Sequence, residues 1–208
     1  MKTKLNVRAA GAKGTMLVTE NSVHEAAHAV VAAYLRVPFS YVTAVPSAKN
    51  GGEVHGVDSR TRVRLFASDR HGGFRRRSAQ ELRDVYRERL ARMVVVALAA
   101  RAAMDRMKVK TLRGRRLSVS ELGYQGDEQI VKDMAHELGI RQFAAWRRQQ
   151  FERAKVIVAI PHVAQALRLV SEKLELERLF HAEKLGNGRV AAKYVRWLLR
   201  ATKAERVQ

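Results

Sequence analysis

Val23-His24-Glu25-Ala26-Ala27-His28-Ala29-Val30-Val31 is the stretch on which the reading of the whole chain turns. At about 3.6 residues per helical turn, histidines four positions apart leave the same face of a helix, and both imidazoles can reach one metal ion. That is half of a zinc site. Glu25 follows the first histidine directly, close enough to hold a water molecule at the metal and accept its proton, the task of a general base in metal-assisted hydrolysis. The alanine pair keeps the backbone helical and the metal face uncrowded. Val23, Ala29, Val30 and Val31 supply the apolar surface that buries the rest of the helix.

A chain of 208 residues, 47% of them hydrophobic, can bury one good core. The expectation is one domain over 19–208, preceded by a basic, flexible arm over 1–18. Cysteine is absent, so any metal must be held by His, Asp or Glu. The N-terminus is too polar through Lys13 for a secretory signal, and the longest apolar run, 93–100, falls far short of the roughly 20 residues of a membrane span. A cytoplasmic protein with no membrane partner is expected. Net charge is +20, from 40 Lys and Arg against 20 Asp and Glu, which makes nucleic acid a partner to consider. The cations cluster only at 75–77, 108–116 and 147–148 and have few aromatic neighbours, so a solvated, charge-rich surface is the alternative.

Outward from the histidines, Thr19 suits the N-cap of a helix over 19–35 that stops before Pro38. Residues 39–45 are β-branched and aromatic and predict a strand, with a turn at 47–52, a hairpin partner at 53–57 and a further short strand at 62–66. Residues 69–77 read as a Gly- and Arg-rich loop beside the site. Ser78-Ala79-Gln80-Glu81 has the form of a capping box and opens a long helix to about Arg106. That helix is apolar nearly all round between Leu90 and Ala103, with Arg101 on its main stripe, and belongs in the middle of a core. Ala97, Ala99, Ala100, Ala102 and Ala103 would let the histidine helix approach closely.

After a basic loop at 108–116, a helix is predicted from about Asp127 to a C-cap at Gly139. Residues 141–159 read as an amphipathic helix interrupted at Pro161, and 162–179 as its continuation or a new helix. Gly186-Asn187-Gly188 ends that unit, and 190–201 is a final helix. The fold class is mainly α with a small β-sheet, α+β.

Two histidines need a third protein ligand. Asp105, Asp127, Glu128, Asp133, His55, His71, His136, His162 and His181 are the candidates, and composition does not choose among them. Asp127 stands out because it sits at a predicted helix start after glycines, although an Asp there also serves as a simple cap.

His24-Glu25-Ala26-Ala27-His28-Ala29-Val30, followed by Tyr41-Val42-Thr43-Ala44-Val45-Pro46 and Gly51-Gly52, resembles the peptidase domain of the FtsH-type zinc proteases, whose HEAGHA helix precedes a V-T-x-x-P strand and a glycine turn. Leu98-Ala99-Ala100-Arg101-Ala102-Ala103 resembles that family's G-G-R-A-A-E-E helix, and the tail over 163–183 its closing helices. Gly126-Asp127-Glu128-Gln129-Ile130-Val131-Lys132-Asp133-Met134-Ala135 resembles the S-N-D-x-x-x-A-T-x-x-A segment, whose Asp is the third zinc ligand. The resemblance therefore implies a zincin-like metallopeptidase domain with zinc held by His24, His28 and Asp127 and with Glu25 as general base. The chain departs from the family in having no P-loop or other ATPase motif, in Met104-Asp105 where the family has its Glu pair, and in an apparent insertion over 57–80.

The expected function is zinc-dependent endopeptidase action on flexible or unfolded polypeptide. A separate ATPase that delivers substrate, or a homo-oligomer, is compatible with it. A strand over 41–45 at a sheet edge would align an extended substrate by backbone pairing. The alternatives are a basic nucleic-acid-associated protein and a non-catalytic metal-binding regulatory scaffold of the same fold.

Overall fold

The computed structural model describes residues 18–46, 52–56, 66–68, 74–76, 78–107 and 125–204, and for 66–68, 74–76 and 107 the backbone alone. Positions 1–17 of the arm expected over 1–18, most of the turn at 47–52, the strand positions 62–65, the loop positions 69–73 and 77 and the basic loop at 108–116 lie outside the described residues. In chain order the elements are α1 (Glu20–Tyr34), β1 (Tyr41–Thr43), β2 (Glu53–His55), β3 (Phe66–Ser68), β4 (Phe74–Arg76), α2 (Ala79–Met107), α3 (Gln125–Glu137), α4 (Phe143–Ala159), α5 (Pro161–Ala182), β5 (Arg189–Ala191) and α6 (Ala192–Ala204). The molecule is mainly helical with a small three-stranded antiparallel sheet, an α+β arrangement.

Local chemistry sets most helix ends. Thr19, extended at its own backbone, caps α1 by accepting from the Ser22 amide at 3.3 Å. Ser78 and Glu81 form the reciprocal capping box of α2: the Ser78 amide donates to Glu81 Oε2 at 2.8 Å, and the Glu81 amide donates to Ser78 Oγ at 3.2 Å. At the end of α3, the Gly139 and Ile140 amides donate to the carbonyls of His136 and Ala135 at 3.0 and 2.9 Å, a closure that needs the left-handed backbone of Gly139 (φ +68°). Pro161 opens α5 at its first turn, Ile160 before it is extended, and α4 and α5 meet at 81°. No single helix among the described residues is long and apolar enough to cross a membrane.

α1 is the centre of packing, set against α2, α5 and α6. Ala26, Ala27, Ala29, Val30, Val31 and Ala32 are fully buried, in one core with Val94, Val95, Ala99 and Ala100 of α2. Small side chains on both helices permit that close approach.

The sheet differs from expectation in two ways. β1 lies at its centre, in the order β2-β1-β5, with Tyr41 opposite both His55 and Ala191 and Thr43 opposite both Glu53 and Arg189. The segment expected at an exposed edge therefore has both flanks paired, and β2 and β5 are the outer strands. The predicted final helix over 190–201 is also corrected, because Arg189, Val190 and Ala191 pair with β1 and the helix starts only at Ala192. Residues 74–76, expected within a loop, form β4 against β3.

Candidate metal centre

α1 presents His24, Glu25 and His28 toward the first turn of α3, which carries Asp127. His24 Nε2 and His28 Nε2 are 3.1 Å apart, and Asp127 Oδ2 lies 3.3 Å from each. The rings meet edge to face, with centroids 4.7 Å apart. His28 Nδ1 sits 2.7 Å from the Val96 carbonyl of α2; because a carbonyl only accepts, that nitrogen carries the proton, and Nε2 of the neutral ring is turned inward with its lone pair.

Asp127 Oδ2 is buried and is aligned for a hydrogen bond with neither imidazole. Three electron-pair donors this close repel one another unless a cation or a proton stands among them. Their separations match the roughly 3.3 Å edges of a tetrahedron whose metal–ligand bonds are about 2.0 Å. His24, His28 and Asp127 thus form a group that could hold a metal ion, and no other such group occurs among the described residues.

Electrostatics agree with the geometry. Burial opposes charge on His28, but the Asp127 carboxylate beside it prevails, with help from Glu25 and the Val96 carbonyl, and pushes the ring up to about 9. Burial would likewise raise Asp127, yet His28 and His24 hold it well below the usual carboxylate range. Glu25 is 5% exposed, with Oε1 4.0 Å from His24 Nε2. Burial pushes its carboxyl up against the pull of His28 and His24, and the charges of Asp127 and Glu53 add to the rise. A carboxyl raised in this way is suited to taking up a proton and giving it back.

Gly52, just before β2, explains how the sheet reaches this carboxyl. A Cβ there would stand 2.6 Å from Glu25 Cγ, 2.9 Å from Cδ and 2.8 Å from the Thr43 carbonyl. Only glycine permits the approach.

Two anchors hold the helices that carry the site. Glu128, next to Asp127, accepts from Arg147 of α4 through both oxygens, the Nε contact being 2.8 Å, and lies 3.6 Å from Arg101 of α2. The Arg147 hydrogen bonds keep Glu128 below its ordinary range. At the start of α1, buried Glu175 of α5 accepts from the Thr19 amide (3.2 Å), Thr19 Oγ1 (2.7 Å) and Ser22 Oγ (2.8 Å), and it pairs with Arg178.

The remaining candidates stand elsewhere. Glu128 is engaged by its arginines. His55 stacks on Tyr41 and lies 3.3 Å from Glu53, and Asp133 accepts from Gln129 at 2.7 Å. Asp105, His136 and His181 are exposed, His162 lies beside the Tyr34 ring, and His71 is outside the described residues. The Val96 carbonyl, Gly52, Arg147 and Glu175 were not expected at the site. Arg101, a charge on an otherwise apolar stripe, and the arginine pair at 147–148 are the sequence features that point toward the Glu128 anchor. Comparison with protein-family models, curated proteins and solved structures finds no match to this chain.

Proposed function

We propose that the chain is a zinc-dependent endopeptidase that hydrolyses peptide bonds in flexible or unfolded polypeptide segments. The observation that carries this reading is the triangle of His24 Nε2, His28 Nε2 and Asp127 Oδ2, with sides of 3.1 to 3.3 Å and the buried Glu25 carboxyl at its border. Two imidazoles and one carboxylate are a donor set that zinc favours, and three protein ligands leave a coordination position free for reaction. The resemblance of the HEAAHA helix, the V-T-A-V-P segment and the Gly-Asp-Glu segment to FtsH-type peptidases supports the same reading and a zincin-like fold. When bound, the ion supplies Lewis acidity to a water molecule and to the scissile carbonyl.

The rest is the work of the chain's own groups. His28, fixed by Val96, and His24 orient the donor face. Glu25 takes a proton from the water as its oxygen bonds to the carbonyl carbon, then delivers that proton to the leaving nitrogen as the C–N bond breaks. The outer edge of β2, which pairs with no strand among the described residues, is the place for an extended substrate, because Gly52 at its start abuts Glu25. β2 takes the role expected of residues 41–45.

Metal analysis and cleavage of an unstructured peptide library test the proposal together. The parent protein should retain about one zinc per chain and cleave, while Glu25→Gln should retain zinc and lose roughly 100-fold or more in turnover. A chain that binds no zinc, or cleavage unchanged by Glu25→Gln, would overturn it.

A further inference from the structure

α6 has a charge distribution unlike any other helix among the described residues: it contains no carboxylate. On α4 and α5, several cations are offset within their own helix, as in Lys155 with Glu152 (2.6 Å), Lys173 with Glu177 (2.9 Å) and Arg168 with Glu172 (3.6 Å). On α6, Ala192, Val195, Leu198 and Thr202 are buried against the core, and Lys193, Arg196, Arg200 and Lys203 are exposed on the opposite side. None of these four has a carboxylate partner among the described residues. At about 100° per residue they occupy one stripe, and Trp197 borders it, 55% exposed and 5.8 Å from the Tyr194 ring.

We propose that this solvent face of α6 binds single-stranded nucleic acid, with Lys193, Arg196, Arg200 and Lys203 along the phosphates and Trp197 stacked on an unpaired base. The stripe is about 15 Å long at 1.5 Å per residue, the reach of a short run of phosphates that its four cations can meet. An indole set among cations can stack only where a base face is open, which excludes the interior of a duplex and selects a single strand. A lipid surface fits less well, because a membrane-binding amphipathic helix must offer its apolar side, and that side of α6 is already buried in the core. This proposal does not depend on the peptidase reading, and Glu25→Gln should leave it unchanged.

The test is fluorescence anisotropy of a labelled 12-nucleotide oligothymidylate titrated with the full chain at 50 to 200 mM salt. Affinity should fall with salt along a log–log slope of about −3, since four phosphate contacts on a single strand each contribute about −0.7. Changing Lys193, Arg196, Arg200 and Lys203 together to Gln should abolish binding at 100 mM salt. Trp197→Ala should weaken it roughly tenfold with the slope unchanged, and in a Trp146→Phe background the oligonucleotide should quench Trp197 emission. Arg196→Glu with Arg200→Glu is the second variant, and circular dichroism confirms that each is folded. Undiminished binding by the folded charge variants would overturn the proposal, as would equal affinity for a duplex without Trp197 quenching. Tighter binding to phosphatidylserine vesicles than to the oligonucleotide would also overturn it and assign the face to lipid.

Discussion

His28 divides its labour between its two ring nitrogens. Nδ1 is committed to the Val96 carbonyl, so only Nε2 can serve an ion, and the proton that Asp127 stabilises on the metal-free ring must leave when the ion enters. The ring is pushed up to about 9 and is therefore charged at neutral pH, so metal binding should release about one proton at pH 7. Apparent affinity should then climb about tenfold per pH unit toward pH 9. Calorimetry in buffers of different ionisation heat counts that proton, and a count of zero would remove His28 from the ligand set. Gly52 gives a second residue-scale prediction. A methyl group there overlaps Glu25 Cγ at 2.6 Å, so Gly52→Ala should displace the carboxyl and lower cleavage at least about tenfold, with zinc affinity changed less than about twofold. The two histidines and Glu25 were legible in the sequence because their geometry is local, fixed by helical spacing. Asp127 stood out at a predicted helix start after glycines, but only resemblance preferred it as a ligand over a simple cap, because its approach to α1 is a tertiary fact. Val96 and Gly52 act through a backbone carbonyl and a missing Cβ, which leave no side-chain pattern to read.

Among the elements, most helix ends and the β1–β2 hairpin followed from sequence, whereas β4, β5 and the central place of β1 did not. Thr19, the Ser78–Glu81 box, Gly139 and Pro161 each act within a few residues of themselves, so their effects are written locally. β5 has only three residues, and Val190 there would serve equally well in a helix; what makes it a strand is the second flank of β1. β1 was expected at an edge for the same reason, since pairing with β5 comes from a distant part of the chain. The hold of α5 on α1 is another long-range feature, and it can be measured. Burial would raise the Glu175 carboxyl, but Arg178, Thr19 and Ser22 together hold it below its ordinary value. A depressed carboxylate contributes stability fully above its unfolded pKa of about 4.3, and loses that contribution as pH falls through the folded value. Glu175→Gln should therefore cost about 2 kcal/mol at pH 7. In melting temperature that is about 5 °C for a domain of this size, with the gap from the parent closing below about pH 4. Thermal melts of both proteins from pH 3 to 8 check it, and a gap independent of pH would mean that packing, not charge, is what Gln fails to replace.

At the scale of the whole molecule, the candidate centre joins two parts that are otherwise held differently. α1 is enclosed by α2, α5 and α6, and most of its side chains are buried. α3 packs on α2 and α4, with Glu128 tied to Arg101 and Arg147, and its buried side chains are only Val131, Met134 and Ala135. Its link to α1 runs through Asp127 and the two imidazoles, so an ion bound there is a bridge between a rigid centre and a lightly packed helix. By linkage, free metal at about 1,000 times its dissociation constant stabilises the folded chain by about 4 kcal/mol. Withdrawing it with a chelator should lower the melting temperature by about 10 °C. Hydrogen exchange should localise the loss: amides of α3 at 125–137 lose protection first, while those of α1 at 20–34, held from three sides, keep theirs. The opposite pattern, α1 opening with α3 unchanged, would mean that the histidine helix depends on the ion for its own folding and that α3 is anchored by its arginines alone. Asp127→Asn should reproduce the chelated exchange pattern with metal present, because the neutral amide keeps the shape but supplies a poorer ligand for zinc.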